Sequence, residues 1–176
     1  MNICLLAAKP FAPAAAEELE RILVDGGHNL IVVQAAADVP ADTAGLIVRS
    51  DPITPEVLAT LPDLKVIVRA GTGVDTIDLA ACTARGIVVM NTPGQNSNAV
   101  AELVIGLMIY QARNQFQPGT GRELRGRTLG LHGFGNVAWL AAVHAQGLGM
   151  PVQAFDPFVD AVQMTNAAVT PASSLP

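Results

Sequence analysis

Residues 133–138 read GFGNVA, and the apolar run LGLH precedes them while a helix-like run follows. The pattern G-x-G-x-x-G/A is weak evidence alone, but a strand before it and a helix after it supply the context it needs. Gly133 permits a tight turn, Gly135 lets backbone approach a pyrophosphate, and Ala138 still allows close helix–sheet packing. N–H groups at the helix start would meet the phosphate charge. The next strand ends in FDP, which puts Asp156 eighteen residues beyond Ala138. A carboxylate there accepts hydrogen bonds from a ribose diol and repels a 2′-phosphate, so the pattern predicts NAD rather than NADP. The competing reading is a packing turn with a solvated Asp156.

A second constellation lies earlier. Arg49 and Ser50 end one strand-like run, and Gly71-Thr72-Gly73 follows another. Ligands of open α/β sheets bind outside the carboxyl ends of the strands. Arg49 could fork onto a carboxylate, a contact worth roughly 1.5–3 kcal/mol net. The glycine turn could form an anion-binding concavity from its N–H groups. Against this, glycine turns are common, and Arg49 could instead pair with Asp51 on the surface.

Other reactive side chains have bland readings. His132 ends a buried strand and is expected to be a packed neutral imidazole. His28 and His144 read as helix-end and helix-surface residues. Cys4 and Cys82 sit in apolar runs without metal-ligand spacing and read as small buried hydrophobes of a reducing compartment. Arg122, Arg125 and Arg127 read as a solvated connector.

These residues must be carried by elements, and the elements alternate. Strands are predicted at 2–8, 29–34, 45–49, 65–70 and about 86–91, with helices over 14–25, from Pro55, and over 76–85. The first helix places Leu19, Ile22 and Leu23 at helical spacing, and Gly26-Gly27 end it. Continuous apolar strands separated by helices mean a parallel sheet covered on both faces. A long helix over 98–113, capped by Ser97 or Asn98, presents Val100, Val104, Leu107 and Met108. After the polar linker NQFQPGTGRELRGR come a strand at 128–132, a helix at 136–147 and a strand at 151–155. Beyond these, no further pattern is read. The expected domains are 1–96 and 97–176.

At 176 residues, 51% apolar and only 14% charged, the chain is long and apolar enough for a sizeable core. The net charge of −5 argues against a nucleic-acid surface. The apolar runs are too short for a signal peptide or a membrane span, which predicts a soluble, cytoplasmic protein with no membrane partner.

The blocks LIVRSDPITPEVL, LKVIVRAGTGVDTIDLAACTARGIVVMNTPGQNSNAVAELVIGLM and ELRGRTLGLHGFGNVA with GMPVQAFDP resemble the D-isomer-specific 2-hydroxyacid dehydrogenases. The resemblance implies an α/β fold: a flavodoxin-like substrate domain, then the first part of a Rossmann NAD-binding domain, with the cleft between them. It implies NAD-dependent oxidation of a small acidic substrate, 3-phosphoglycerate to 3-phosphohydroxypyruvate, with glyoxylate- or hydroxypyruvate-type acids as the alternative. Arg49, Ser50 and Asn96 would contact the substrate, and the backbone of Gly71 and Gly73 would bind its carboxylate. Thr72 would touch the cofactor, Gly133, Gly135, Asn136 and Val137 would line the pyrophosphate, and Asp156 would hold the adenosine ribose. Helix 98–113 would belong to a homodimer core in a full-length parent.

The family's catalytic Arg, Glu and His fall in segments this sequence lacks, so no catalytic residue is assigned. The chain is therefore expected to be a fragment, inactive alone, with an exposed edge at strand 128–132 and a tendency to self-associate. A non-catalytic dinucleotide-binding or dimerising module is the other reading. An unrelated flavodoxin-like sensor leaves GFGNVA and Asp156 unexplained.

Overall fold

The apolar runs of the first ninety or so residues become parallel strands. In the computed structural model, which describes residues 1–174, they are β1 (Asn2–Leu6), β2 (Asn29–Val33), β3 (Thr43–Val48), β4 (Val66–Arg69) and β5 (Val88–Asn91). They pair in the order β2-β1-β3-β4-β5. Each β–helix–β connection is long enough for the crossover that parallel pairing requires. Helices α1 (Pro13–Asp25), α2 (Pro55–Ala59) and α3 (Leu79–Ala84) supply those crossovers.

Local chemistry fixes their ends. α1 and α2 each begin on a proline, whose missing N–H costs nothing in the first turn. α3 starts at Leu79, three residues later than the spacing predicts. Ile53 N–H donates to Thr76 O at 2.8 Å and Asp78 N–H to Ile53 O at 3.0 Å, so the preceding backbone is committed to a bridge. Asp78 then caps the helix, its Oδ1 accepting from Ala81 N–H at 2.8 Å.

The core of this unit lies on one face of the sheet, where Cys4, Leu6, Leu46, Val48 and Ile67 meet Leu58, Leu61 and Cys82. Cover on the other face is uneven. Ile3 and Leu5 are buried, yet Val32, Val88 and Met90 are each more than half exposed. The expectation of a sheet covered on both faces is therefore met only in part among the described residues. In α1, Leu19 and Leu23 are half-buried while Ile22 faces solvent.

A second unit begins at Gly94. It contains α4 (Ser97–Ala112), β6 (Leu129–His132), α5 (Asn136–Gly147), β7 (Val152–Phe155), α6 (Ala161–Asn166) and β8 (Thr170–Pro171). Its strands are parallel in the order β6-β7-β8, so β6 is an edge strand among the described residues. Phe134, Ala142, Ala145, Val152, Ala154, Met164 and Val169 form its buried cluster.

Neither Ser97 nor Asn98 caps α4. Ser97 N–H bonds Gly94 O at 3.1 Å, so the turn starts one residue earlier, and Asn98 Nδ2 instead donates to Glu102 Oε1 at 2.6 Å. The packed face of α4 is Ala101, Ile105 and Met108; Val100 and Leu107 of the predicted face point outward. The chain also keeps its pattern past Phe155, with Asp160 Oδ1 capping α6 from Val162 N–H at 2.7 Å. No helix among the described residues is long and apolar enough to cross a membrane. The expected second domain runs to Pro176, and its last two residues lie outside the described ones.

Candidate functional site

In the first unit the site is built by neighbouring strand ends. β3 and β4 pair with Val48 opposite Arg69, so Arg49 and Ser50 leave the sheet beside the turn that starts at Ala70. Both are exposed. Asp51 is buried instead, and its Oδ1 accepts from Ala8 N–H at 3.0 Å, tying the end of β1 to that of β3. It is thus a strut, and the surface pair with Arg49 does not form.

The glycine turn is held from β5. Thr92 N–H donates to Gly71 O at 2.9 Å and Asn91 Nδ2 to Thr72 O at 2.7 Å. Gly71 has φ +152, and a Cβ there would sit 1.4 Å from Arg69 Nη1. The Arg69 guanidinium therefore occupies the place of a side chain at Gly71. Its Nε is buried with no hydrogen-bond partner. Arg69 is the residue that sequence reasoning missed. As the last residue of an apolar strand it carried no motif, but a cation ending KVIV one strand away from Arg49 was the available signal.

The second unit presents a different edge. Gly133 has φ +91, and its N–H donates to Phe155 O at 2.7 Å, so β6 turns where β7 ends. No heavy atom lies within 4 Å of a Cβ built at Gly133 or Gly135. No side chain caps α5, whose first residues are Asn136 and Val137. Its leading N–H groups are therefore available to an anion. Asn136 Nδ2 lies over Gly94, 3.2 Å from where a Cβ would be.

Asp156 closes this edge. Its Oδ2 accepts from Phe134 N–H at 2.7 Å, and its Oδ1 accepts from Phe158 N–H at 2.8 Å and Val159 N–H at 3.2 Å. These donors, that of Phe134 first, hold its carboxyl below the usual aspartate range. The carboxylate is thus oriented beside the glycine turn, with lone pairs left for a diol. His132 is exposed, not packed. Among the described residues β6 is an edge strand, and the ring lies on the face away from the core, 6.2 Å from that of Phe155. Asn96 belongs to the second unit and precedes α4, exposed and without a side-chain capping bond.

Parallel sheets, a glycine turn at a helix start and an acid ending the next strand define a nucleotide-binding α/β protein. Residues 7–173 match the model of the D-isomer specific 2-hydroxyacid dehydrogenase catalytic domain, and the chain belongs to that family. It is 40% identical over 159 residues to D-3-phosphoglycerate dehydrogenase of Pongo abelii, covering 79% of this chain and 30% of the relative. It is also 40% identical over 126 residues to hydroxypyruvate reductase of Thermotoga maritima, covering 64% of this chain and 41% of that one. Among solved structures, NAD+-bound 3-phosphoglycerate dehydrogenase of Entamoeba histolytica superposes with a TM-score of 0.86 at 42% identity, covering 91% of this chain and 55% of that chain. The chain therefore spans about a third to just over half of the length of these relatives.

Proposed function

We propose that this chain carries the acid-binding domain and the first part of the cofactor domain of an NAD-dependent dehydrogenase that oxidises 3-phosphoglycerate to 3-phosphohydroxypyruvate. The observation that carries the reading is the second unit's carboxyl edge, where an uncapped α5, open space over Gly133 and Gly135 and the oriented Asp156 converge. These groups fit a dinucleotide. Gly133, Gly135, Asn136 and Val137 would cradle the pyrophosphate, Asp156 would accept hydrogen bonds from the ribose diol, and by the family resemblance Thr72 would also touch the cofactor. NAD, when bound, accepts a hydride from the carbinol carbon.

Arg49, Ser50 and the N–H groups of Gly71 and Gly73 would hold the acid's carboxylate, and Asn96 would add an amide. Arg69, fixed against Gly71 and free of any carboxylate among the described residues, supplies the second cation that a phosphorylated acid needs. The substrate's hydroxyl proton is assigned to no residue of this chain. The outward Leu103 and Leu107 of α4 would seat a second copy.

Calorimetric titration tests both halves. Asp156→Ala should weaken NAD binding roughly tenfold, the loss of one charge-assisted pair, and relax discrimination against NADP. Unchanged preference would remove the ribose role. Arg49→Ala should weaken 3-phosphoglycerate and spare NAD, and equal losses would count against the assignment. Likeness to a hydroxypyruvate reductase favours an unphosphorylated acid as the second reading; glycerate binding as tightly as its phosphate ester would select it.

A further inference from the structure

Between Glu102 and Asp156 the sequence holds four arginines and a single acidic residue, Glu123, in a chain of net charge −5. Three of them, Arg113, Arg122 and Arg125, line one cavity of about 430 Å³ with an apolar floor of Ile109, Leu124 and Leu148. Arg122 and Arg125 precede β6, and Leu148 precedes β7. The cavity is therefore at the amino end of the second sheet, opposite the edge that bears Gly133 and Asp156.

Its frame is main chain. Arg122 N–H donates to Ala112 O at 2.7 Å, and Gly126 N–H to Gly149 O at 2.9 Å. Two glycines make room for the side chains. Arg113 Nε lies 3.1 Å from the Cβ position of Gly121, and Arg125 Cγ lies 3.3 Å from that of Gly149. Among the described residues, ion pairs involve Arg21 alone, so none of the three guanidiniums has a carboxylate partner.

Charge and shape together specify the occupant. α4 ends at Ala112 and α5 at Gly147, and the residues that follow them, Arg113 and Leu148, line the cavity. Each helix end brings about half a negative charge. With Glu123 counted as well, the three arginines are left with a surplus of about one positive charge. We propose that this cavity binds a small amphiphilic anion, a single acidic group on an apolar body, at a site separate from the cofactor edge. The acid is received by the forks of Arg122 and Arg125, and the body covers Ile109, Leu124 and Leu148. A bare polyanion would exceed the charge surplus and leave the floor wet. A neutral apolar molecule would bury cations without a partner.

The test is titration of the full chain with benzoate, benzyl alcohol and inorganic phosphate, followed by calorimetry and by amide chemical shifts at Ile109, Leu124 and Leu148. Benzoate should bind at least about tenfold tighter than either of the others, since one charge-assisted contact is worth that much. The double variant Arg122→Gln, Arg125→Gln should lose that advantage, while its NAD titration, which reports the other edge, stays unchanged. Glu123→Gln, which removes the competing charge without touching the arginines, should tighten benzoate. No benzoate binding, phosphate binding equally well, or affinity indifferent to Glu123→Gln would overturn the proposal.

Discussion

Asp156 spends both carboxylate oxygens on its own chain, and this makes the glycine turn sensitive to acid. The folded carboxyl titrates below its ordinary value because three N–H groups favour the charged form. Its contribution to stability is therefore complete above the unfolded value of about 3.9 and is lost as pH falls through the folded one. Asp156→Asn should lower the melting temperature at neutral pH, and the difference from the parent should vanish in acid. A gap independent of pH would show that the carboxylate's charge is irrelevant. At Gly71 the constraint is steric. Gly71→Ala should cost about 1–2 kcal/mol in denaturant unfolding, because φ is positive and the Arg69 guanidinium fills the space. Gly73→Ala, whose Cβ would meet only the movable Asp75 Oδ1 at 2.7 Å, should cost less. Cys4 is buried in the core of the first unit. Burial pushes its thiol up to about 11, so it should resist a thiol reagent until the chain is unfolded.

At the scale of elements, two short features behave against habit. Residues Asn114, Gln115 and Phe116 all have φ between 52 and 60, a left-handed turn built without glycine. Each such residue costs about 1–2 kcal/mol, offset locally by the Tyr110–Phe116 ring contact at 5.3 Å and by the N–H groups of Phe116 and Gln117, which donate to Arg113 O at 3.1 Å and Asn114 O at 2.9 Å. Gln115→Gly should therefore raise stability by about 1 kcal/mol, where glycine normally lowers it; a drop in thermal midpoint would refute the strain. The short α2 is stapled by Arg85, which donates through Nη1 to Leu58 O and through Nη2 to Leu61 O, the latter at 2.6 Å. Arg85→Ala should cost about 1 kcal/mol by the same measurement. Such features explain what could be read in advance. Runs such as NICLL and KVIVR announce strands because β-branched and aliphatic residues crowd together, and GFGNVA with Asp156 announces a turn because spacing alone carries it. The face of α4 was not legible, since apolar residues surround that helix and only the position of α5 selects Ala101, Ile105 and Met108. α6 and β8, of six and two residues, are too short for periodicity to register. Arg69 was hidden because its meaning comes from Gly71 beneath it, a contact that no strand pattern encodes.

For the whole molecule, each unit has a core of its own, and the two buried clusters share no residue. A fragment ending at Pro93 should accordingly retain a cooperative melt. Large apolar side chains nevertheless remain outside, with Val32, Val88 and Met90 on the first unit and Leu103, Leu107 and Phe116 on the second. Leu103 and Leu107 are one turn apart on α4, and an exposed apolar pair of this kind is a candidate for a partner's surface. Sedimentation velocity should find the chain self-associated, and Leu103→Lys with Leu107→Lys should shift it toward monomer. A monodisperse parent monomer would rule this out.

The hollow beside Arg122 has a wider consequence. Its outline is drawn by peptide groups and glycines, whereas its sign is written by side chains that hang on that frame. Outline and sign can therefore drift independently. Descendants of one scaffold could swap an appetite for acids for one for amines by recolouring two positions, while the machinery at the far rim is inherited untouched.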